Sequence, residues 1–285
     1  MDRTVYFTTS VPAAIAMVVL AVVVIFGAVV AARRSRDRAA ARAHAEATDA
    51  AATARARLLT RLDHELKNPL TALQTAAAST QQLVTAEHDE RPDVEAAIAA
   101  IGTSSRRIAR LLADLRKLTD IETRDIDRRP VDVAALIDVV VDDAGTAPGA
   151  DERTITTSVP RAPWPIPKVL GDEDLLHTAV LNLLTNAIKY STPGDTIEVR
   201  ASDVNGAWVA VDVADTGRGI PDDEHEGVWD ELSRGADVRA IPGSGMGLAL
   251  VRAIVHRHDG SVELRSRPGE GTSVRLLIPA IDRSG

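Results

Sequence analysis

Residues 11–32 run without a charged side chain, and no other stretch limits the possible fold as strongly. A helix of that length reaches about 33 Å, at about 1.5 Å per residue, which is enough for a hydrocarbon core of roughly 30 Å. A single transmembrane helix over 11–32 is therefore expected. A cleaved leader would have a shorter apolar core with its basic residues in front. Here Asp2 and Arg3 offset each other in front, whereas Arg33, Arg34, Arg36 and Arg38 crowd the far side. By the positive-inside rule, residues 1–10 are a short extracytoplasmic tail and everything after Ala32 is cytoplasmic. A tail of this length is too small to fold as a ligand-binding domain.

Residues 33–57 are rich in alanine, sprinkled with charge, and free of glycine and proline. That composition predicts a juxtamembrane helix continuing from the membrane. Leu59, Leu62, Leu66, Leu70 and Leu73 follow at three- and four-residue spacing, so a second helical segment carries one apolar stripe. Charge and proline at residues 87–92 break the pattern. Another stripe then begins, with Ile98, Ile101, Ile108, Leu111, Leu112, Leu115, Leu118 and Ile121, and ends near the polar cluster at 123–129. Two helices cannot bury two such stripes without partners. Residues 58–125 are accordingly read as an antiparallel helical hairpin that dimerises into a four-helix bundle.

After Pro130 the periodicity changes, and residues 130–281 read as mixed α/β. A short strand runs into a helix over 131–142, a strand covers 154–159, and a long helix covers 172–190 with Asp172 able to cap its start. Ile197 and Val199, Val209, Val211 and Val213, Val262 and Leu264, and Val274, Leu276 and Ile278 alternate in four further strands. Strands with one apolar face need helices on one side only, so a two-layer α/β sandwich is expected. The whole chain is then α+β, with the membrane helix and the helical hairpin preceding the sandwich.

Composition narrows the function classes. A net charge of −8 leaves no excess of Lys and Arg to neutralise phosphates, which argues against direct nucleic-acid binding. The absence of cysteine excludes a disulfide framework and a thiolate metal site. A length of 285 residues has room for about two domains plus extra segments, and 45% hydrophobic content is ordinary for a chain with a core.

His64 sits in the first stripe helix but about 200° around its axis from Leu62 and Leu66, at roughly 100° per residue, which turns it to solvent. Pro69 removes the normal i+4 donor to the Glu65 carbonyl and is expected to bend the helix beside it. An exposed imidazole followed by a carboxylate suits a nucleophile. The string HELKNP at 64–69 resembles the phosphoacceptor box of sensor histidine kinases, and four further boxes follow in that family's order. NLLTNAIKYS holds Asn182, Asn186, Lys189 and Tyr190 of an N box, and DTGRGIP holds Asp215, Gly217 and Gly219 of a first glycine box. GSGMGLAL supplies Gly243, Gly245 and Gly247 of a second, and GEGT at 269–272 resembles the last. The resemblance covers residues 58–279. It implies a membrane-bound two-component sensor kinase with a dimerisation and phosphoacceptor module and an ATP-binding domain of the Bergerat (GHKL) fold shared with type II topoisomerases, Hsp90 and MutL.

The resemblance also implies roles. Asn182 and Asn186, four apart on one helix face, can both present amide oxygens to one hard cation, with Mg²⁺ the candidate beside nucleotide phosphates. Lys189 and Tyr190 lie one turn on. Asp215 is expected to accept from the adenine amino group of ATP and to reject guanine, whose oxygen would face another acceptor. Gly217 and Gly219 admit the base, while Gly243, Gly245 and Gly247 lead into a helix start near Leu248 whose N–H groups suit phosphates. Ile220 and Thr272, within the first and last glycine boxes, are expected at the same site. Arg234 is placed near the transferring phosphoryl group, although VWDELSRG has Trp229 as its single aromatic where the family has two.

In the implied reaction, His64 takes the γ-phosphoryl of ATP, with Glu65 orienting the imidazole and accepting its proton, and then passes it to an aspartate on a response regulator receiver domain. Asn68, one turn from His64, is expected to position the water that later hydrolyses that acyl phosphate. The alternative is a GHKL ATPase or a silent nucleotide-binding scaffold in the membrane. Hydrolytic members of the fold carry a glutamate where this chain has Asn182, a poor base, which favours the kinase. The resemblance implies a homodimer at the plasma (inner) membrane with its catalytic part cytoplasmic. Whether a subunit phosphorylates itself or its twin is left open. The other histidines, His44, His88, His177, His225, His256 and His258, are read as surface or loop residues.

Overall fold

The computed structural model describes residues 59–60, 62–63, 65–78, 91–232 and 244–281. The expected membrane span at 11–32, the juxtamembrane segment at 33–57, His64, Arg234 and Gly243 lie outside the described residues. Among the described residues no helix is long and apolar enough to cross a membrane. Residues 61–285 form one compact unit.

Helix α1 covers residues 65–78 and runs on through Pro69; residues 59–60 and 62–63 are also helical. Its covered face is Leu62, Leu66, Pro69, Leu73 and Ala76. Leu59 and Leu70, expected in the same stripe, are instead exposed in the single chain, at 60% and 48%. Helix α2, Arg91–Thr123, explains the difference. Its buried positions Ala97, Ser104, Leu111 and Leu118 recur every seven residues, with Ile101, Ile108 and Leu115 half-buried between them and Ile121 buried near its end. That is a heptad seam, narrower than the apolar set read from the sequence. Leu62, Pro69 and Ala76 keep the same seven-residue spacing on α1, and Leu59 and Leu70 fall outside it. Ile98 and Leu112 of α2 are likewise exposed. Arg107 of α2 joins the two helices by donating from Nη2 to Glu65 Oε2 at 2.6 Å.

The α/β part begins with β1, Arg129–Val131, followed by α3, Val133–Gly145, capped by Asp132, which accepts from the N–H groups of Ala134 and Ala135. Strand β2, Thr154–Ser158, leads through the proline-rich connection to β3, Val169–Gly171, which pairs antiparallel with β1. Helix α4, Glu173–Tyr190, starts at Asp172, whose carboxylate accepts from Leu175 N–H, and has Glu173 and Asp174 in its first turn and Lys189 in its last, as the helix dipole favours. Strands β4, Thr196–Val204, and β5, Trp208–Asp215, form a hairpin. Helix α5, Gly247–Arg257, precedes β6, Ser261–Arg267, and β7, Gly271–Pro279. The main sheet has the order β2-β4-β5-β7-β6, parallel only between β2 and β4.

Register sorts its two faces. Val199, Val213, Val274 and Leu264 lie opposite one another across four strands, and so do Ala201, Val211, Leu276 and Val262. This apolar face receives α3, α4 and α5, and α4 alone buries Leu176, Val180, Leu183, Leu184 and Ile188 against it. Burying each of these large side chains contributes about 1.5–3 kcal/mol. The other face carries a row of alternating charge, Arg200, Asp212, Arg275 and Glu263, paired strand to strand. Arg275 grips Asp212 at 2.7 and 3.2 Å. No layer covers that face among the described residues, and opposite charges directly across the ladder suit it to water. The expected two-layer arrangement is the one observed.

The end of α2 is held from the other side of the molecule. No basic residue lies in its own last turn. Instead, Arg257 at the end of α5 donates to Glu122 O and Arg124 O, both at 2.6 Å. A guanidinium therefore satisfies carbonyls that the helix leaves without partners. Arg128 reinforces the clasp through Asp259 at 2.6 Å and Arg257 O at 2.7 Å.

His258 is buried, at 1% exposure, and not a surface residue as expected. Its Nδ1–H donates to Ile254 O at 2.7 Å, and its Nε2 accepts the Asp172 N–H at 3.0 Å. The ring pins the end of α5 to the start of α4. A Cβ on Gly171 would stand 2.6 Å from it, which is why β3 ends in glycine there.

Candidate active site

A cavity of about 290 Å³ lies between α4, α5, the end of β5 and the start of β7. Of the residues expected to bind a nucleotide, Asn182, Asn186, Lys189, Tyr190, Asp215, Gly219, Ile220, Gly245, Gly247, Leu248 and Thr272 line it. Gly217 stands just behind, donating its N–H to Asp215 Oδ1 at 2.9 Å. Glu65 and Asn68 are on α1, where Asn68 is exposed.

Each wall follows from local sequence. Asn182 and Asn186 are one turn apart on α4 and share the face turned to α5. The Asn182 side-chain N–H donates to Thr178 O at 2.8 Å, which directs its Oδ1 the other way. A Cβ on Gly247 would be 3.4 Å from that Oδ1 and 3.3 Å from the Asn186 Nδ2, so α5 approaches the two amides closely only because glycine opens it. Helix α5 starts at Met246 without a side-chain cap. Gly245 (φ 77°), Gly247 and Leu248 border the cavity, so the uncapped first-turn N–H groups stand beside it. Lys189 Nζ donates to the Tyr190 hydroxyl at 2.7 Å and lies 4.4 Å from its ring centre, placing a cation at the same wall.

Asp215 closes the opposite end. Burial pushes its carboxyl above the usual aspartate range, opposed by the backbone N–H groups of Gly217 and Thr272. Gly219 (φ 69°) and Gly271 (φ 112°) make this corner possible. A Cβ on the first would strike Arg267 O and on the second Asp215 O, each at 1.9 Å. Ser266 fastens the same corner, accepting Ile220 N–H at 2.8 Å and donating to Gly271 O at 2.9 Å. A buried acceptor at one end, and neutral amides, a lysine and free helix N–H groups at the other, suit a ligand with a hydrogen-bonding base and an anionic tail. The paired amide oxygens fit a hard cation that takes its remaining ligands from phosphate and water. No group of three or more His, Cys, Asp or Glu side chains that could hold a metal alone occurs among the described residues.

Asp114, from α2, also lines the cavity, as do Arg218, Glu224 and Ser244. Asp114 could not be assigned from its own surroundings, an apolar-striped helix with charges on its open face. Ser244 and Arg218 sit inside the glycine boxes, and their spacing could have flagged them.

Two family models match the chain. Residues 54–124 match the His Kinase A (phospho-acceptor) domain, and residues 171–282 match the histidine kinase-, DNA gyrase B- and HSP90-like ATPase. The signal transduction histidine-protein kinase/phosphatase MprB of Mycolicibacterium smegmatis is 34% identical over 233 residues, covering 79% of this chain and 45% of the relative. The sensor-like histidine kinase SenX3 of the same organism is 33% identical over 222 residues, covering 76% and 56%. The chain thus spans about half the length of the relatives it matches. Among solved structures, the histidine kinase ThkA in complex with the response regulator protein TrrA has a TM-score of 0.62 at 17% identity, over 80% of this chain and 63% of the other. Full-length ShkA in complex with AMPPNP has 0.55 at 22%, over 80% and 47%. Both likenesses show the fold.

Proposed function

We propose that this chain, which belongs to the two-component sensor histidine kinases through its phosphoacceptor and ATPase modules, phosphorylates itself on His64 from ATP and passes the phosphoryl group to an aspartate of a response regulator. The observation that carries this reading is the cavity just described. It gathers, from four separate sequence boxes, the residues that an adenine nucleotide requires, in a chain that also holds a matched phosphoacceptor segment. The relatives' description as kinase and phosphatase supports both activities.

In this reading Asp215 receives the adenine amino group, and Lys189, Tyr190 and the first turn of α5 hold the phosphates. Asn182 and Asn186 hold Mg²⁺, which when bound supplies charge stabilisation on the phosphate oxygens. Arg234 and Gly243 complete the phosphate end. The imidazole lone pair of His64 forms the new N–P bond as the bond from Pγ to the bridging oxygen breaks, with ADP leaving and Glu65 accepting the ring proton. Because position 182 is an amide, ATP is not set up for attack by water. Asn68 serves the reverse traffic, hydrolysis of the regulator's acyl phosphate.

The exposed Leu59, Leu70, Ile98 and Leu112 support a second copy of α1 and α2 completing a four-helix bundle, since each lies beside the heptad seam with its apolar side chain in water. The domain scheme follows: an extracytoplasmic tail at 1–10, a membrane helix at 11–32, a signalling helix at 33–57, a dimerisation and phosphotransfer module at 58–125 and the ATP-binding domain at 130–281. The uncharged run and its one-sided arginines support anchoring at the plasma membrane with the catalytic part cytoplasmic.

The test is labelling of residues 33–285 with γ-labelled ATP. An acid-labile, alkali-stable label lost in His64→Gln, with nucleotide binding kept, is the expected result. Label persisting in His64→Gln would overturn the kinase in favour of a nucleotide-driven scaffold.

A further inference from the structure

The Glu65–Arg107 pair is the one contact in the described part of the hairpin that bears directly on chemistry. Glu65 follows His64 in sequence and is a half-buried member of the α1 face turned to α2. Its side chain is 23% exposed and that of Arg107 is 38% exposed. The bond from Arg107 Nη2 to Glu65 Oε2 is 2.6 Å, within the short range of charge-assisted hydrogen bonds. Arg106, next in the chain, turns away to Thr103 Oγ1 at 3.3 Å, and the α1 neighbours Asp63 and Lys67 are exposed. The pairing is thus selective for one arginine on α2 and one carboxylate on α1.

A partly exposed ion pair adds little to stability. Its effect on position is larger. A glutamate side chain has three rotatable bonds, and a group meant to receive a proton must be held within hydrogen-bond reach of it. The Arg107 guanidinium engages Oε2 alone, and a carboxylate has a second oxygen to offer. From this geometry we infer that Arg107 is a positioning residue for autophosphorylation: from the other helix of the hairpin, it holds the Glu65 carboxylate in the orientation needed to accept the phosphoacceptor's ring proton. The inference rests on the kinase reading and adds a residue that lies outside every sequence box of the family and outside the nucleotide cavity.

Two consequences follow. Because α1 and α2 each contribute half of the proton-accepting unit, a shift of one helix along the other would uncouple Glu65 without touching ATP. Substituting Arg107 should also act only through Glu65.

The experiment compares wild type, Arg107→Ala, Arg107→Lys, Glu65→Gln and the double variant Glu65→Gln/Arg107→Ala, as full chains in detergent micelles. Initial labelling rates from γ-labelled ATP are followed across ATP concentration, beside nucleotide affinity. Arg107→Ala should slow labelling about tenfold, part of the roughly 10²–10⁴-fold range of a positioned proton acceptor, with ATP affinity unchanged. The loss should fall on the rate at saturating ATP and not on the ATP concentration that gives half that rate, because the nucleotide site is untouched. Arg107→Lys, which keeps the charge and loses the fork, should fall between. In the Glu65→Gln background, Arg107→Ala should change nothing further. An equal loss in both backgrounds, or a loss that saturating ATP restores, would overturn the positioning role. Neither result would disturb the kinase reading, whose failure is seen separately as label that survives His64→Gln.

Discussion

His258 offers the most direct test of how the ATP-binding domain is held together. The Asp172 N–H is a fixed donor, so the ring nitrogen facing it must be an acceptor, and Nδ1 carries the proton that goes to Ile254 O. Protonating the ring would set two donors against each other at a site with 1% exposure. Burial accordingly holds the His258 imidazole below the usual histidine range; the Ile254 carbonyl, Asp172 and Asp259 oppose this and Arg128 adds to it. A histidine that is harder to protonate when folded contributes stability that is fully present above its unfolded pKa of about 6.5 and is lost as pH falls through the lower folded value. His258→Leu keeps the volume but strands the Asp172 N–H, a loss of about 1–3 kcal/mol. Urea unfolding of residues 33–285 at pH 8 should show that loss. Repeating it at pH 5.5 should show wild type losing more stability between the two pH values than His258→Leu does, since the variant has no ring to protonate. Equal pH dependence in the two proteins would refute the assigned tautomer and the role of the buried ring.

Other expectations follow from the site and its supports. Asp215→Asn should weaken ATP binding and relax the preference for adenine over guanine, measured with paired nucleotides, because the amide can offer a donor to the guanine oxygen; Asn186→Asp should change Mg²⁺ dependence more than base choice. Asn68→Ala should leave His64 labelling intact while a phosphorylated receiver domain outlives its wild-type control in the presence of ADP; equal lifetimes would remove the phosphatase role. Arg257→Ala should speed amide hydrogen exchange at 122–128 selectively, since two carbonyls at the end of α2 lose a cationic partner worth about 1.5–3 kcal/mol per charged hydrogen bond before solvent screening reduces it.

What could be read from sequence was whatever repeats at short range. The four-residue spacing of Asn182 and Asn186 places them on one helix face whatever the rest of the chain does, and the alternation in β4, β5 and β7 already separates an apolar from a charged sheet face. Asp172 was legible as a cap for the same reason, because its partner Leu175 lies three residues on. His258 was not. It lies in HRHDG, where every neighbour but the glycine is ionisable, and its burial comes from Asp172, 86 residues earlier in the chain. Strand β3 escaped because three residues cannot show an alternation, and its partner β1 lies about forty residues before it.

The divided stripe of α1 is the most instructive difference. Any leucine at three- or four-residue spacing looks buried when a helix is considered alone, but one antiparallel neighbour covers only a seam of about two positions in seven. The seam here passes through Pro69, a residue read as a local defect, and leaves Leu59 and Leu70 outside. Sequence therefore supplied the number of apolar faces that need covering, while contacts within one chain cover fewer. That difference supports the proposed second copy of the hairpin. It also puts the Arg107–Glu65 bridge at the border of the seam, so that in the proposed bundle a change in how α1 and α2 pack would reach Glu65 before it reached the nucleotide cavity.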